Sequence, residues 1–247
     1  MLNSDSSIPL YLQLKQAITE EINRGTYLPG EKLPTEMELC DTYKVSRITV
    51  RKAVLDLVEE GVLIRQQGKG TYVKRPKLQR ELVSVSGFSE DMVSSGNTPH
   101  NEILSYQIKA ASRNISEKLN IPLGCNVLEL KRMQYLEKQN LSLEITTYSL
   151  DLFPNLENQL KQHKDISMHR ILKENYDVVP AYGDKVVNVT FASAEEAELL
   201  KCTVSDPLFE IEKIAYNNEK LAIYYSLIYY HTSQVSLTIT SPFHSQR

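Results

Sequence analysis

Cysteine is too scarce and too scattered to staple this chain together. Cys40, Cys125 and Cys202 are odd in number, far apart and without a CxxC pair, which argues against a disulfide framework and against a zinc site. Three buried, inert thiols are the expected outcome. Histidine is equally thin: of five, His163 and His169 flank an acid, but no third donor stands at a helical or hairpin spacing, so no metal is expected. No apolar run is long enough to span a membrane. The first 30 residues carry Asp5, Glu20 and Glu21 where a secretory signal needs a basic start and an apolar block. A Ser-His-Asp ordering, a metal box and a phosphate loop are all missing, and no cofactor is implied. These absences point to a cytoplasmic protein of ordinary globular composition, 41% hydrophobic and 24% charged, whose 247 residues suit two domains better than one.

A large positive excess is missing too, since the net charge is −3, but the charge is unevenly spread. Residues 44–75 hold eight Lys or Arg against three acids, whereas residues 1–43 hold three against seven. A basic island on an otherwise acidic chain is the electrostatic footprint of a DNA-binding element.

The local pattern around that island predicts three helices and a hairpin. Leu10, Leu14, Ile18 and Ile22 recur every four residues behind Ser7 as a possible N-cap and Pro9 near the first turn, and Gly25 ends the run. Thr35 and Glu38 form a capping-box pattern that starts a second helix over 35–43. Ser46 caps a third helix running to Glu60 and closed by Gly61, with Val50, Val54, Leu57 and Val58 as its apolar stripe. Arg47 and Arg51 stack one turn apart on its flank, and Lys52 points to the far side. "VLIRQQGKGTYV" then reads as a hairpin whose tip sets Lys69 between Gly68 and Gly70, glycines that let backbone approach a sugar-phosphate strand. Helix, helix, helix, hairpin is the order of a winged helix-turn-helix, whose third helix fits a major groove about 12 Å wide.

The stretch "GEKLPTEMELCDTYKVSRITVRKAVLDLVEEGVLIRQQGKGTYV" resembles the DNA-binding domain of the GntR transcription regulators along its whole length. The resemblance implies operator contacts from Thr35, Arg47, Thr49, Arg51 and the wing Gly68, Lys69 and Gly70, with Ser46 as cap and phosphate donor. Lys52 adds charge to the same helix and joins this DNA-binding set. Met37 departs from the pattern, standing where the family commonly has an arginine.

Pro76 and a polar, basic stretch mark a linker over 76–83, which separates a DNA-binding domain, 1–75, from a second domain, 84–247. In the latter, strands are expected at 102–109, 126–137, 141–150, 184–191, 207–217, 220–230 and near 235–240, and helices at 89–95, 114–120, 155–163, 166–175 and 194–201. An internal repeat at a shift of 81 residues sets Leu119 on Leu200, Arg132 on Lys213 and Tyr135 on Tyr216; with one residue of slippage in the turn, Leu143 falls on Ile223 and Glu144 on Tyr224. Two helix-hairpin copies predict one antiparallel sheet with pseudo-twofold order and helices on a face, an α+β domain.

"GFSEDMVSSGNTP" and "LELKRMQYLEKQNLSLEITTYSL" resemble the UTRA ligand-binding domain, of chorismate lyase-like fold, found in the HutC-type branch of the same family. That resemblance implies a palindromic operator bound by a homodimer, usually of a repressor, and a small effector held between the two halves, a sugar phosphate in several members. Carried over, Arg132 grips an anionic group through its planar fork, Glu144 accepts from ligand hydroxyls, and Ser89 offers a hydroxyl unless it only caps its helix. Tyr182 and Tyr224 complete the expected effector set, although tyrosines on strands also serve as core. Gln134 stands where the branch has a second arginine, and "YYHTSQVSLTI" lacks its Arg-x-Asp-Arg ending, so a donor for phosphate is missing. The other reading of the second domain is a lyase-like enzyme with DNA binding secondary.

Overall fold

A computed structural model describes residues 2–3, 6–66, 68–84, 86–137, 139–162 and 167–240, in two units that divide between Pro76 and Lys77. His163 lies outside the described residues.

The first unit holds α1 (Leu10–Asn23), α2 (Glu36–Tyr43), α3 (Arg47–Glu59), β1 (Leu63–Gln66) and β2 (Gly70–Val73). The expected stripes are its core: Leu14 and Ile18 of α1 meet Leu39 of α2 and Val50, Ala53, Val54 and Leu57 of α3, all buried. Each large apolar side chain fully enclosed there contributes about 1.5–3 kcal/mol. α1 begins at Pro9 with no side-chain cap, so Ser7 does not take the N-cap role expected of it; proline already sets the entry dihedral, φ −52°. The α2 capping box is present in full, Glu38 N–H donating to Thr35 Oγ1 and Thr35 N–H to Glu38 Oε2. Ser46 Oγ accepts from Thr49 N–H at the start of α3, and Gly61 ends it with φ +72°. β1 and β2 pair antiparallel from Leu63↔Val73 to Gln66↔Gly70, and Lys32 bridges to Tyr72 on the outer side of β2.

The second unit contains β3 (Leu78–Glu81), α4 (Phe88–Ser94), β4 (Pro99–Ala110), α5 (Arg113–Leu119), β5 (Asn126–Leu136), β6 (Gln139–Ser149), α6 (Leu156–Gln162), α7 (Met168–Tyr176), β7 (Tyr182–Phe191), α8 (Ala194–Leu200), β8 (Pro207–Tyr216), β9 (Ala222–His231) and β10 (Val235–Thr238). Its main sheet is antiparallel in the order β4-β5-β6-β9-β8-β7. β4-α5-β5-β6 and β7-α8-β8-β9 are thus two copies meeting at β6 and β9, the pseudo-twofold order that the repeat predicts.

Three expectations need correction. The register pairs Arg132 with Glu144 and Lys213 with Ser226, so Glu144 matches Ser226 rather than Tyr224, and Leu143 matches Tyr225 rather than Ile223. The cause is the second turn, closed by Asn217 N–H donating to the Leu221 carbonyl; it is one residue longer than the first, where the repeat alignment made it shorter. Both hairpins keep a bulge at the same point, Gln134/Tyr135 and Ala215/Tyr216. Helices cover both faces of the sheet, not one: α5 and α8 pack against Val127, Met133, Leu143 and Tyr229, while α6 and α7 pack against Leu128, Leu130, Tyr148 and Ile223. Finally, the stretch 76–83, expected to be a linker, contains β3, which pairs in parallel with β10 from Leu78↔Val235 to Glu81↔Thr238. A four-residue strand of mixed polarity carries no signal against a linker in sequence; its partner, 157 positions away, creates it.

Candidate DNA interface and ligand cavity

The start of α3, the start of α2 and the β1-β2 hairpin enclose an open groove of about 660 Å³, lined by Thr35, Met37, Arg47, Arg65, Lys69 and Gly70 among others. Arg47 is anchored by its Nε, which donates to Glu36 Oε2 at 3.1 Å, while its side chain stays 81% exposed. Arg51 is exposed and makes no ion pair among the described residues. Thr49 and Ser46 share a hydroxyl hydrogen bond of 2.8 Å. At the hairpin tip Gly68 has φ +72° and Gly70 φ +125°, backbone that residues with a side chain rarely adopt, and Lys69 between them is exposed. Lys52 parts from this set: its amine pairs with Asp56 at 2.8 Å and lies over the Tyr11 ring of α1, so it is turned away from the groove. Two exposed apolar side chains sit among the cations, Met37 at 74% and Ile48 at 83%.

On the α4-α6-α7 side of the sheet, alternation along β5, β6, β8 and β9 brings Arg132, Gln134, Ser142, Glu144, Thr146, Lys213 and Ser226 to one face, all buried. Burying so many polar groups is costly unless they are paired, and most are. Arg132 Nη2 donates to Glu144 Oε2, Gln134 Nε2 donates to the same oxygen at 3.0 Å, and Ser142 Oγ donates to Gln134 Oε1 at 2.7 Å. Gln134 therefore orients the carboxylate. Thr146 and Ser226 hydroxyls bond each other at 2.8 Å across the pseudo-twofold. Arg132 Nε is buried and has no hydrogen-bond partner among the described residues.

Over this face lies a cavity of about 60 Å³ lined by Arg132, Glu144, Ser89, Lys213, His169 and Tyr224, with β3 contributing Arg80. Ser89 sits inside α4 rather than at its cap, which is Gly87, and its Oγ accepts from Asn101 Nδ2 at 2.9 Å. Tyr224 OH and His169 Nε2 are 2.8 Å apart. Burial, then the Lys213 charge, lowers His169 to about 4, so its ring is neutral at pH 7. Burial, then the Lys185 charge, lowers the Lys213 amine to about 8; it lies over the Tyr224 ring. Lys185 Nζ in turn donates to the carbonyls of Leu82 and Ser84, in the segment after β3.

Of the five expected effector residues, the structure gathers Ser89, Arg132, Glu144 and Tyr224 at the cavity and leaves Tyr182 out. Tyr182 is on the outer strand, stacked on Tyr216 with centroids 5.1 Å apart, away from the cavity. Lys213, His169, Lys185 and Arg80 were missed. Lys213 had a signal, because the repeat sets it on Arg132; the others depend on how α7, β7 and β3 are placed.

The family models place the same two regions. The pattern for bacterial regulatory proteins of the gntR family matches residues 10–73, and the UTRA domain matches residues 94–236. The chain is similar to the uncharacterized HTH-type transcriptional regulator YurK of Bacillus subtilis, 54% identical over 98% of this chain and 100% of that one. It is 35% identical to the "Probable fructoselysine utilization operon transcriptional repressor" of Escherichia coli K12, over 95% and 96% of the two chains. PhnF of Mycobacterium smegmatis shares the fold across 96% of this chain and 100% of its own, with a TM-score of 0.66 at 20% identity. A winged helix-turn-helix followed by a six-stranded UTRA sheet, matched along nearly its whole length by such regulators, belongs to the GntR family of transcription regulators, in its UTRA-bearing HutC-type branch.

Proposed function

We propose that this regulator binds a palindromic operator as a homodimer in the cytoplasm and that a small anionic, hydroxylated metabolite in the UTRA cavity changes its affinity for DNA. The observation that carries the ligand half is the buried face where Arg132 and Lys213, equivalent across the repeat, flank Glu144, with Arg132 Nε unpaired. Cations of that kind match a phosphate or carboxylate, and Glu144 and Ser89 match hydroxyls. A sugar derivative fits this chemistry, in keeping with the sugar-amine named for the E. coli relative. The cavity holds only about 60 Å³, room for an ion or a few waters, so a sugar phosphate needs the side chains around it to move. A regulator that must respond needs such a second arrangement.

The test starts from a thermal-shift screen of sugar phosphates, amino sugars and aromatic acids on the full chain. A stabilising compound should then alter operator affinity in a fluorescence titration. Its binding should weaken as pH rises through about 8, because the Lys213 amine loses its charge there, and should take up protons near that pH. Calorimetry in two buffers of different ionisation enthalpy reads that uptake. Turnover of the compound without any effect on DNA would instead support the lyase-like reading.

The dimer reading has support at the sheet edge. β7 exposes Val187, Val189 and Phe191 at 37, 62 and 67%, an apolar outer strand of the kind that proteins cover or blunt. Phe191→Glu is expected to shift the sedimentation coefficient from dimer to monomer; a dimer that persists unchanged would move the interface elsewhere.

A further inference from the structure

Outside the ligand cavity, at the start of β8 and the end of β9, the fold brings together three side chains that sequence spacing leaves unrelated. Cys202 follows α8, Asp206 precedes β8, and His231 ends β9. Their donor atoms all lie within 4.8 Å of one another, and all three residues are half-buried. The separation of His231 Nε2 and Asp206 Oδ2 is 3.3 Å. A tetrahedral zinc ion with nitrogen and oxygen ligands at about 2.0–2.2 Å spans such a pair at about 3.3–3.5 Å, so one edge already has the coordination length.

The surroundings hold the donors in place. Ser233 Oγ bonds His231 Nδ1, which fixes the ring and turns Nε2 toward Asp206 and Cys202. Thr203 N–H donates to Asp206 Oδ2 at 2.8 Å, and the Cys202 N–H is tied to the Ala197 carbonyl at 3.0 Å. The set is not a by-product of the duplication: the equivalent positions in the first copy are Ile121, Cys125 and Ser149, which offer no such trio.

We propose that Cys202, Asp206 and His231 form a binding site for a zinc-class divalent cation, with three protein ligands and a fourth position left to water. Thiolate, imidazole and carboxylate together suit zinc or cobalt and exclude magnesium and calcium, which prefer all-oxygen sets. On binding, the Cys202 thiol gives its proton to solvent and the ion loses waters. The ion clips the α8-β8 loop to the end of β9, independently of the effector cavity. This departs from the expectation of an inert thiol and no metal.

The test is a titration of the untagged, reduced full chain with Co²⁺ alone. A single equivalent should produce a near-ultraviolet thiolate-to-cobalt charge-transfer band with tetrahedral visible bands, and Zn²⁺ should bleach both. Cys202→Ser should abolish the charge-transfer band while circular dichroism stays that of the parent, and His231→Gln serves where the serine variant fails to fold. Ser233→Ala should weaken cobalt binding about 10–100-fold. Absence of the charge-transfer band, or its survival in Cys202→Ser through Cys40 or Cys125, overturns the proposal.

Discussion

Glu144→Leu alone should lower the unfolding free energy by about 3–5 kcal/mol, because it leaves the Arg132 guanidinium buried without its counter-charge. The side chains of this pair are 8% and 11% exposed, so water does little to screen the loss. Arg132→Met combined with Glu144→Leu removes both charges and should recover most of the deficit. The recovery stops about 1–3 kcal/mol short, since Gln134 Nε2 then lacks its acceptor. Urea unfolding of the full chain, followed through its tyrosines, reads the difference; ten of the 14 tyrosines lie beyond residue 77. If the single variant is no worse than the double, water reaches Arg132 through the cavity and the pair is not desolvated. The stable double variant should also have lost its response to effector. A buried ion pair that can be replaced at small cost to stability is retained for what it binds.

Legibility in sequence followed the range of the interactions. The DNA-binding unit was open to reading because its signals are local: Thr35 and Glu38 close their box three residues apart, Ser46 caps α3 within one turn, and the Gly68 and Gly70 backbone demands residues without a side chain. Sheet order came from the repeat, a pattern longer than any element. The register slip at Glu144 was invisible because it amounts to two residues, from Tyr224 to Ser226, and a two-residue slip keeps the same face of β9 inward and leaves its alternation unchanged.

The cavity was half legible for the same reason. Arg132 and Glu144 face each other within one hairpin, so sequence separation and geometry agree. Arg80 reaches the cavity only because β3 pairs with β10, 157 positions away, and Lys185 sits on the edge strand β7 with its amine on carbonyls 101 and 103 residues distant, contacts that no local pattern announces. Tyr182 failed in the opposite direction: a strand tyrosine near other tyrosines carries no mark of which face or which edge it will occupy. Gln134, which departs from the family pattern, donates its amide to Glu144.

On the DNA side, Arg51→Ala should cost about 1–3 kcal/mol in binding to an operator selected in vitro with the parent chain, and much less on a random duplex. The reason is position: Arg51 is exposed one turn along α3 from Arg47, free of ion pairs among the described residues, where a recognition helix meets base edges. Lys69→Ala should instead weaken both duplexes alike and reduce the salt dependence by about one phosphate contact, because a wing lysine reads charge and not sequence. Ile48, 83% exposed beside these cations, has the chemistry for a thymine methyl. Ile48→Ala should then lose affinity only for duplexes that keep that methyl, with the loss vanishing when uracil replaces thymine. Fluorescence anisotropy at several salt concentrations separates the three behaviours. An Arg51→Ala chain that loses operator and random DNA equally would mean that α3 grips the backbone, and the wing or the α2 start would then have to carry sequence recognition.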